Sequence, residues 1–355
     1  MKQQFTIKAI SDCTIKYRGY IEYSTDYGKS WCILDTLFLP ATHEAQFRNA
    51  ESKANDSFMI YGMFNVYGHI STLAPNGTKA FMWMFYKTNV IDANKLILDY
   101  DELWPLAYEG MFSCCSNLAT APSVLPATAL ADGCYELMFS YCSSLSTAPK
   151  LPATTLAESC YASMFAGCTS LKSSPELPAT TLASFCYSAM FRGCISLESA
   201  PELTATALAQ RCYEDMFHEC ISLTSTPSIL PATTLNRGCY ESMFRGCASL
   251  TTAPELPATT LARGCYAYMF YGCISLTSAP SVLPATTLAQ YCYAGMFYGC
   301  ESLTTAPMLL AIKTKDKSYY YMFHGCKSLK KRPVMPKKAY LEAVTMNFIP
   351  SELIK

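Results

Sequence analysis

The chain has 355 residues, a formal net charge of zero and 15% charged residues, against about a quarter in an average soluble domain. No apolar run approaches the length of about 18 residues that a membrane-spanning helix needs, which excludes a helical membrane protein. The composition is therefore compatible with a water-soluble protein or a repeat protein.

Residues 1–48 are predicted to form a small, separate all-β domain. Apolar residues alternate in Phe5–Ile10 and in Tyr20–Tyr23, which is the period of a half-buried strand. The segment Ser24–Trp31 matches the Ser-x-Asp-x-Gly-x-Ser/Thr-Trp pattern called an Asp-box, and it resembles hairpin turns of sialidase propellers and other β proteins. In such a turn the Asp caps the backbone and the Gly adopts a positive φ. Because 48 residues cannot hold a sialidase, we interpret the motif as a structural staple of one hairpin.

Residues 49–110 are interpreted as an N-terminal cap of degenerate repeats. Met63-Phe64 and Met84-Phe85 keep the Met-Phe pair of the repeats described next, but without their cysteines. Terminal repeats of an array commonly depart from the consensus, because one of their faces meets no further repeat.

One pattern recurs through residues 111–335: Cys-Tyr-x-x-Met-Phe-x-x-Cys-x-x-Leu-x-x-x-Pro, followed by Leu-Pro-Ala-Thr-Thr-Leu. Its Met-Phe pair returns every 26 or 27 residues, at Met111, Met138, Met164, Met190, Met216, Met243, Met269, Met296 and Met322. A fixed period of this length is typical of stacked supersecondary units that bury their apolar faces only against their neighbours. The sequence therefore predicts a solenoid.

Each repeat is predicted to contain a short strand, a crossing segment and about three turns of helix. Leu171 and Leu177 are an even number of residues apart, so they point to one face of an extended segment. Cys186, Met190 and Cys194 then follow at the spacing of one helical stripe. The predicted fold class is an α/β solenoid, a right-handed leucine-rich-repeat stack of strand-plus-helix units of 26–27 residues, preceded by the all-β N-terminal domain.

The repeats of 27 residues contain one additional residue. Ser123-Val-Leu, Ser228-Ile-Leu and Ser281-Val-Leu replace the shorter Lys150-Leu or Glu176-Leu. Since a β-bulge accommodates one residue without changing the rest of a strand, we predict a bulge at these positions.

The pattern resembles the BspA-like leucine-rich repeats of bacterial surface proteins. The matching residues are Ala-Met-Phe-x-Gly-Cys-x-Ser-Leu, as in Ala189–Leu197, and the Leu-Pro-x-x-x-x-Leu that follows, over roughly residues 100–335. The chain departs from the common pattern in the Pro before this Leu-Pro and in its 26-residue period. The resemblance implies a solenoid that acts in adhesion and in contact with a host or a matrix.

Nineteen cysteines would indicate disulfides in a small secreted domain. Cys186 and Cys194, however, would lie about 12 Å apart on a helix, beyond the reach of a disulfide. We therefore predict buried free thiols that behave as small apolar residues. No metal site is expected, because the repeats lack a His or a second thiolate at ligand spacing. Outside the repeats, Cys13 and Cys32 are expected to face each other across the N-terminal sheet.

No catalytic constellation is recognised in the sequence. The four histidines cannot be combined with a nucleophile and an orienting group, and no Gly-rich phosphate loop, His-Glu-x-x-His helix or paired-carboxylate site occurs. We predict a protein that is not an enzyme and that needs no cofactor.

Two surfaces of the array are candidate binding sites. The outward strand positions carry an acidic row at Glu176, Glu202 and Glu255. On the other side, Tyr268, Tyr271 and Tyr298 are predicted to form an aromatic patch, and exposed tyrosines suit sugar rings and protein interfaces. A separate row of tyrosines is predicted to pack at the helix edge: Tyr135, Tyr161, Tyr187, Tyr213, Tyr240, Tyr266 and Tyr293.

Residues 336–355 are predicted to form a C-terminal cap. The residues expected to close the core are Leu341, Val344, Phe348 and Leu353.

The end of the chain is also basic: Lys313–Lys355 contains ten Lys or Arg and three Asp or Glu. Its centre at Lys330, Lys331 and Arg332 is either a solvated polar cap or a contact for an anionic polymer, membrane phosphate or an acidic partner. Because the block has no interleaved aromatic residues and matches no nucleic-acid-binding fold, no nucleic-acid partner is expected.

These observations favour a non-catalytic recognition or adhesion protein that binds a protein or glycan through the solenoid surface. The alternative is a structural component of a larger particle, such as a phage tail or an exported appendage, docked through residues 1–48. The first residues lack the apolar region of a secretion signal. The resemblance implies a cell-surface or extracellular location. Because this signal is missing, a cytoplasmic or virion-associated location is the alternative.

Overall fold

The structure is a computed structural model that describes residues 2–18, 20–51, 58–73 and 81–350. The chain divides into two compact units. Unit 1 comprises Met1–Ala153 and Cys160–Leu171, and unit 2 comprises Thr154–Ser159 and Lys172–Lys355.

Two β-sheets form the N-terminal part of unit 1. Their strands are β1 (Phe5–Ala9), β2 (Cys13–Tyr17), β3 (Tyr20–Ser24), β4 (Cys32–Ile33), β5 (Leu37–Leu39), β6 (Glu44–Glu51), β7 (Phe58–Tyr61), β8 (Phe64–His69) and β9 (Val90–Ile97), with a 3₁₀ turn at Ile70–Leu73. One sheet has the strand order β4-β3-β6-β1-β8-β9, and the other has the order β5-β2-β7. The pairing of β8 with β9 is parallel.

Strands that follow residue 48 complete both sheets. In the six-stranded sheet β8 pairs with β1, and in the three-stranded sheet β7 pairs with β2. Without them β1 and β2 would leave open edges with unpaired backbone groups. A domain boundary at residue 48, as the sequence predicts, would therefore separate strands that are paired within each sheet.

The expected meeting of Cys13 and Cys32 is wrong. Cys13 is buried in β2 of the three-stranded sheet, where it pairs with Leu39. Cys32 is exposed in β4 of the six-stranded sheet, where it pairs with Tyr23. The two thiols are separate because their strands belong to different sheets.

The Asp-box forms the hairpin turn between β3 and β4. The Asp26 carboxylate accepts hydrogen bonds from the hydroxyls of Ser24 and Ser30, both at 2.6 Å, and from the Ser30 N–H at 2.9 Å. These bonds hold the pKa of Asp26 well below its ordinary value. Gly28 has φ +81°, and the Trp31 indole N–H donates to the Gly28 carbonyl at 3.2 Å. The motif is a staple of one hairpin, as the sequence predicts.

The predicted helices of the repeats are wrong, and runs of turns take their place. Among the described residues the one α-helix is α1 (Lys337–Val344), near the C-terminus. The segments predicted to be helical are instead turns at 81–87, 105–114, 132–141, 158–167, 184–193, 210–219, 237–246, 263–272, 290–299 and 316–325. We call each of them a turn segment.

The hydrogen bonds of a turn segment alternate between its own repeat and the next one. In residues 185–194, Cys186, Ser188, Met190, Arg192 and Cys194 donate their N–H to the carbonyl three residues earlier. The residues between them, Phe185, Tyr187, Ala189, Phe191 and Gly193, donate to carbonyls of the following repeat at 2.7–3.0 Å. Every fourth residue has a positive φ: Phe185 at 57°, Ala189 at 53° and Gly193 at 70°. Such residues interrupt an α-helix.

The burial predicted for these segments is nevertheless confirmed. Cys186, Met190 and Cys194 are fully buried. A turn that repeats every four residues places i, i+4 and i+8 on one face, as a helix with 3.6 residues per turn also does approximately. The two structures therefore share one apolar pattern but differ in where the backbone N–H groups point.

Parallel bridges between repeats replace most of the predicted strands. Within unit 2, Ser173 bridges Ser199, which in turn bridges Ser225. Leu171 and Leu177 are buried on either side, as the sequence predicts. Regular strands occur at β10 (Val282–Leu283) and β11 (Met308–Leu309), which pair in parallel.

The additional residue of the longer repeats forms a bridge rather than the predicted bulge. Val282 pairs with Met308, and Ile229 pairs with Glu255. In unit 1, Val124 pairs with Lys150 in the same way. The extra residue thus gives the longer repeat a backbone partner in the next one.

The core of unit 2 contains two rows of stacked rings. Phe217, Phe244 and Phe270 follow each other at centroid distances of 5.5 and 5.6 Å. The predicted tyrosine row is buried as well: Tyr240 lies 5.6 Å from Tyr266 in the next repeat. Each repeat thus buries its aromatic rings against those of its neighbours.

Buried thiols join neighbouring repeats through hydrogen bonds. The Cys247 thiol donates to the Phe217 carbonyl at 3.1 Å, and the same carbonyl accepts the Cys220 N–H at 3.1 Å. Equivalent thiol bonds extend from Cys115, Cys142, Cys168, Cys220, Cys273, Cys300 and Cys326. None of the nineteen cysteines, all of which lie among the described residues, forms a disulfide. The prediction of buried free thiols is confirmed for the repeats, where these thiols are also hydrogen-bond donors.

The described part of the C-terminus covers the last turn segment. Phe348 is buried, with its ring 5.2 Å from Tyr319, and its carbonyl accepts the Phe323 N–H at 2.9 Å. Leu341 is 62% exposed and Val344 is half-buried, so the prediction that Leu341 closes the core is wrong; α1 buries Ala339 and Ala343 instead. The predicted contribution of Leu353 lies outside the described residues.

Candidate ligand-binding surface

Four side chains in unit 2 form a row on the outer side of successive turn segments. The Arg245 guanidinium carbon lies 4.7 Å from the centroid of the Tyr271 ring. Tyr271 stacks on Tyr298 at 4.7 Å with planes 5° apart, and His324 follows at 5.1 Å. We call Arg245, Tyr271, Tyr298 and His324 the aromatic column.

Backbone hydrogen bonds keep the aromatic column in register. Gly246 donates its N–H to the carbonyl of Tyr271, and Gly272 donates to that of Tyr298, both at 2.8 Å. Because neighbouring repeats are bonded at the base of each ring, little conformational freedom remains to be lost when a ligand binds.

The stacked geometry determines what the aromatic column offers to a ligand. The faces of Tyr271 and Tyr298 cover each other, whereas both residues remain half-exposed. The ring edges and hydroxyls, together with the imidazole of the exposed His324, are therefore the groups open to a partner. Such a surface suits hydrogen bonding more than stacking on a sugar face.

Tyr268 joins the aromatic column to a neighbouring cleft. Its ring meets that of Tyr271 edge-on at 6.2 Å. It lies over Gly295, where an added Cβ would come within 2.5 Å of the Tyr268 ring. The structure thus brings together Tyr268, Tyr271 and Tyr298, the three tyrosines proposed from the sequence.

The cleft beside Tyr268 contains three arginines from consecutive repeats. It has a volume of about 230 Å³ and is lined by Arg211, Arg237, Glu241, Arg263, Tyr268 and Tyr291, with Gly264 and Ala267. The Arg263 guanidinium lies 5.8 Å from the centroid of the Tyr291 ring. We call this site the arginine cleft.

Carboxylates surround one of the three arginines. Arg211 is 2.5 Å from Glu214 and 3.9 Å from Glu241. Burial raises the pKa of Glu214 to about 7; Arg211 opposes this shift, while the carboxylates of Glu241 and Asp215 add to it. Among the described residues, no carboxylate lies within 4.0 Å of Arg237 or Arg263 as an ion-pair partner, and both side chains are exposed.

The structure does not join the three glutamates of the acidic row into one site. Glu176 and Glu202 are exposed in consecutive repeats. Glu255 is separated from them by the repeat that contains Ile229, its bridge partner. Its carboxylate accepts the N–H and the hydroxyl of Ser281, each at 3.0 Å. Glu255 is therefore already bonded within the protein.

The basic residues near the C-terminus are exposed. Lys330, Lys331 and Arg332 all face solvent. The Arg332 guanidinium lies 4.9 Å from the centroid of the Tyr340 ring of α1 and so packs on that ring.

Sequence reasoning missed Arg245, Tyr291 and His324 as members of one surface. Two of these, Arg245 and His324, occupy the position directly after Met-Phe in their repeats, as do Tyr271 and Tyr298. Alignment of that single position along the repeats would have found the aromatic column. For the arginine cleft the same signal covers two of the three arginines: Arg237 and Arg263 precede their cysteines by two residues, whereas Arg211 precedes its own by one.

The described residues contain no group of three or more His, Cys, Asp or Glu side chains placed to hold a metal ion. Within the same residues, no helix combines the length and the apolar character needed to cross a membrane.

The stacked repeats, their regular leucines and their recurrent turn segments define a leucine-rich repeat protein. A family model described as a BspA type leucine rich repeat region matches in six copies, over residues 135–254 and 240–342. These residues make up more than half of the chain, and the chain belongs to this family.

No curated protein matches the chain. The chain is similar to the crystal structure of a leucine-rich repeat protein from Bacteroides ovatus. The two are 17% identical, the match covers 86% of this chain and 97% of that chain, and the TM-score is 0.32. Nothing about function follows from similarity at this level.

Proposed function

We propose that the chain is a non-catalytic recognition protein that acts in adhesion at a cell surface and binds a glycan or protein ligand through the aromatic column. The observation that carries the proposal is the stacked, half-exposed pair Tyr271 and Tyr298, held in place by backbone bonds between repeats. Family membership supports it, because leucine-rich repeat arrays generally serve as recognition surfaces. The rigid row presents hydroxyl, guanidinium and imidazole groups in a fixed order.

We expect the double substitution Tyr271→Ala/Tyr298→Ala to weaken ligand binding by about tenfold or more, because central tyrosines carry a large part of interface energy. Binding is measured on glycan arrays and then by titration calorimetry with the ligand found. Tyr271→Phe/Tyr298→Phe should lose most of the affinity as well, since the hydroxyls rather than the ring faces are open.

The matched control is Tyr141→Ala, which removes a tyrosine that is 63% exposed in unit 1. It should leave both binding and the unfolding curve unchanged. Equal affinities of the wild type, the alanine pair and the control would show that the aromatic column is not the binding site.

A second candidate function, a structural role in a larger particle, is supported by an apolar face of the N-terminal sheets. Phe38 and Tyr61 lie on either side of Thr14 across the three-stranded sheet and are 61% and 68% exposed. Met59, on the same strand as Tyr61, is 44% exposed. Exposed apolar patches of this kind often mark contacts with other proteins.

If this face docks into a particle, the wild type should sediment with large assemblies from cell extracts. The variant Phe38→Lys/Tyr61→Lys should remain in the supernatant. Ile195→Lys/Ile221→Lys, which alters two apolar residues of unit 2 that are 41% and 46% exposed, should sediment like the wild type. A wild type found only as a free monomer would count against this role.

A further inference from the structure

The arginine cleft repeats with the period of the fold. Arg237 and Arg263 occupy the same position in consecutive repeats, 26 residues apart. The spacing of these repeats is given by the buried rings of Tyr240 and Tyr266, which lie 5.6 Å apart. That spacing is close to the length of one pyranose residue in an extended polysaccharide. Two successive arginines can therefore meet two successive sugar residues.

The charge of the cleft is suited to an anion. Arg211 is engaged by Glu214 and Glu241, whereas Arg237 and Arg263 are exposed and line the cleft together with Glu241, which forms an ion pair within 4.0 Å with neither of them. A guanidinium group binds a carboxylate through two parallel N–H bonds, a geometry that an ammonium group does not offer.

The size and the lining of the cleft favour a short stretch of a linear chain over a whole folded partner. Its volume of about 230 Å³ is smaller than that of the clefts that bury drug-sized ligands. Tyr268 and Tyr291 add ring surface and hydroxyls to its walls, and amphipathic aromatic rings suit the mixed apolar and polar surface of a sugar. Through Tyr268 the cleft continues into the aromatic column, which extends over further repeats.

We propose that the arginine cleft and the aromatic column together bind an acidic polysaccharide that carries a carboxylate on successive sugar residues, with its chain along the direction in which the repeats stack. This inference rests on the proposed function, because it names the ligand class of that surface. Arg237 and Arg263 bind the carboxylates, and Tyr268, Tyr271 and Tyr298 form hydrogen bonds with the sugar hydroxyls.

The test compares binding of the full-length protein to polygalacturonate and to the same polymer with its carboxylates methyl-esterified, by titration calorimetry. The wild type should bind the acidic polymer and lose at least tenfold in affinity for the ester. Arg237→Gln/Arg263→Gln should lose at least tenfold for the acidic polymer. Arg237→Lys/Arg263→Lys, which keeps the charge but not the paired N–H groups, should recover only part of that loss.

The matched control is Lys150→Gln/Lys172→Gln, which removes two exposed positive charges from other repeats of the array and should leave the affinity unchanged. Loss of binding in this control and not in Arg237→Gln/Arg263→Gln would overturn the inference, as would equal affinity for the acidic polymer and its ester. Tighter binding to a sulfated polysaccharide or to single-stranded nucleic acid than to polygalacturonate would overturn the assigned ligand class.

The two proposals fail in different ways. If Tyr271→Ala/Tyr298→Ala abolishes binding to a neutral glycan or a protein while the arginine variants bind it normally, the proposed function stands and the acidic ligand is wrong. If neither set of variants changes binding to any ligand, both are wrong.

Discussion

Raising the pH above about 9 is expected to unfold the protein over a narrow pH range. Seventeen of its nineteen cysteines are buried, all except Cys32 and Cys114. Burial raises the pKa of seven of them from the ordinary 9.0 to about 12: Cys115, Cys134, Cys186, Cys239, Cys273, Cys292 and Cys326.

The sign of the effect follows from which state holds the proton. A buried thiol keeps its proton at a pH where the unfolded thiol has lost it, so its contribution to stability is complete below pH 9.0 and is lost as the pH rises toward 12. Each thiol reduces the free energy of unfolding by about 1.4 kcal/mol per pH unit in that range. Seven thiols together remove about 10 kcal/mol per pH unit, which is comparable to the total stability of a domain.

Urea unfolding followed by circular dichroism at pH 8, 9 and 9.5 measures this dependence. The variant Cys239→Ala/Cys273→Ala should be less stable at pH 8 and yet lose stability less steeply, because two titrating thiols are gone; the difference in slope approaches about 2.7 kcal/mol per pH unit as the pH rises above 9. Cys32→Ala, which removes an exposed thiol, should keep the wild-type slope. The same slope in all three proteins would show that thiol ionisation does not control the alkaline transition.

The substitution Phe244→Ala is expected to lower the free energy of unfolding by about 3–5 kcal/mol, the range found for large aromatic residues in cores. Phe244 is fully buried between Phe217 and Phe270, and its carbonyl accepts the Cys273 thiol at 3.0 Å. Its loss leaves a cavity between two neighbours on which the stacking of the repeats depends.

The control for this variant is Ile274→Ala, a large-to-small change at a residue that is 50% exposed, with an expected effect within about 0.5 kcal/mol. Both are measured by urea unfolding at pH 7. A Phe244→Ala variant as stable as the control would mean that the ring stack contributes little to the array. A second unfolding transition would show that the repeats on the two sides of Phe244 have become independent.

Part of the candidate surface can be predicted from the sequence, because equivalent positions of successive repeats are stacked on each other. Tyr271 and Tyr298 both follow Met-Phe, so a fixed period places them one above the other whatever the local backbone is. The same alignment predicts only part of the arginine cleft, namely Arg237 and Arg263. Arg211 contacts Glu241 of the next repeat, but it occupies a different position in its repeat from that of Arg237 and Arg263. A contact between positions that are not equivalent depends on side-chain conformations.

The sequence by itself determined the solenoid, its period, the residues of its core and the free state of its thiols. These follow from a recurrent apolar pattern that can be buried only by stacking copies of one unit. Only the tertiary structure decided the local backbone. A period of four in the turn segments and one of 3.6 in a helix bury the same residues, such as Cys186, Met190 and Cys194.

The choice between the two depends on where the backbone N–H groups find acceptors. In this protein the carbonyls of the next repeat lie within 2.7–3.0 Å of every second N–H between Phe185 and Gly193. A helix would have bonded those groups within its own repeat. Three glycines occupy positions that require a positive φ: Gly264 in one repeat, and Gly295 and Gly299, four residues apart, in the next.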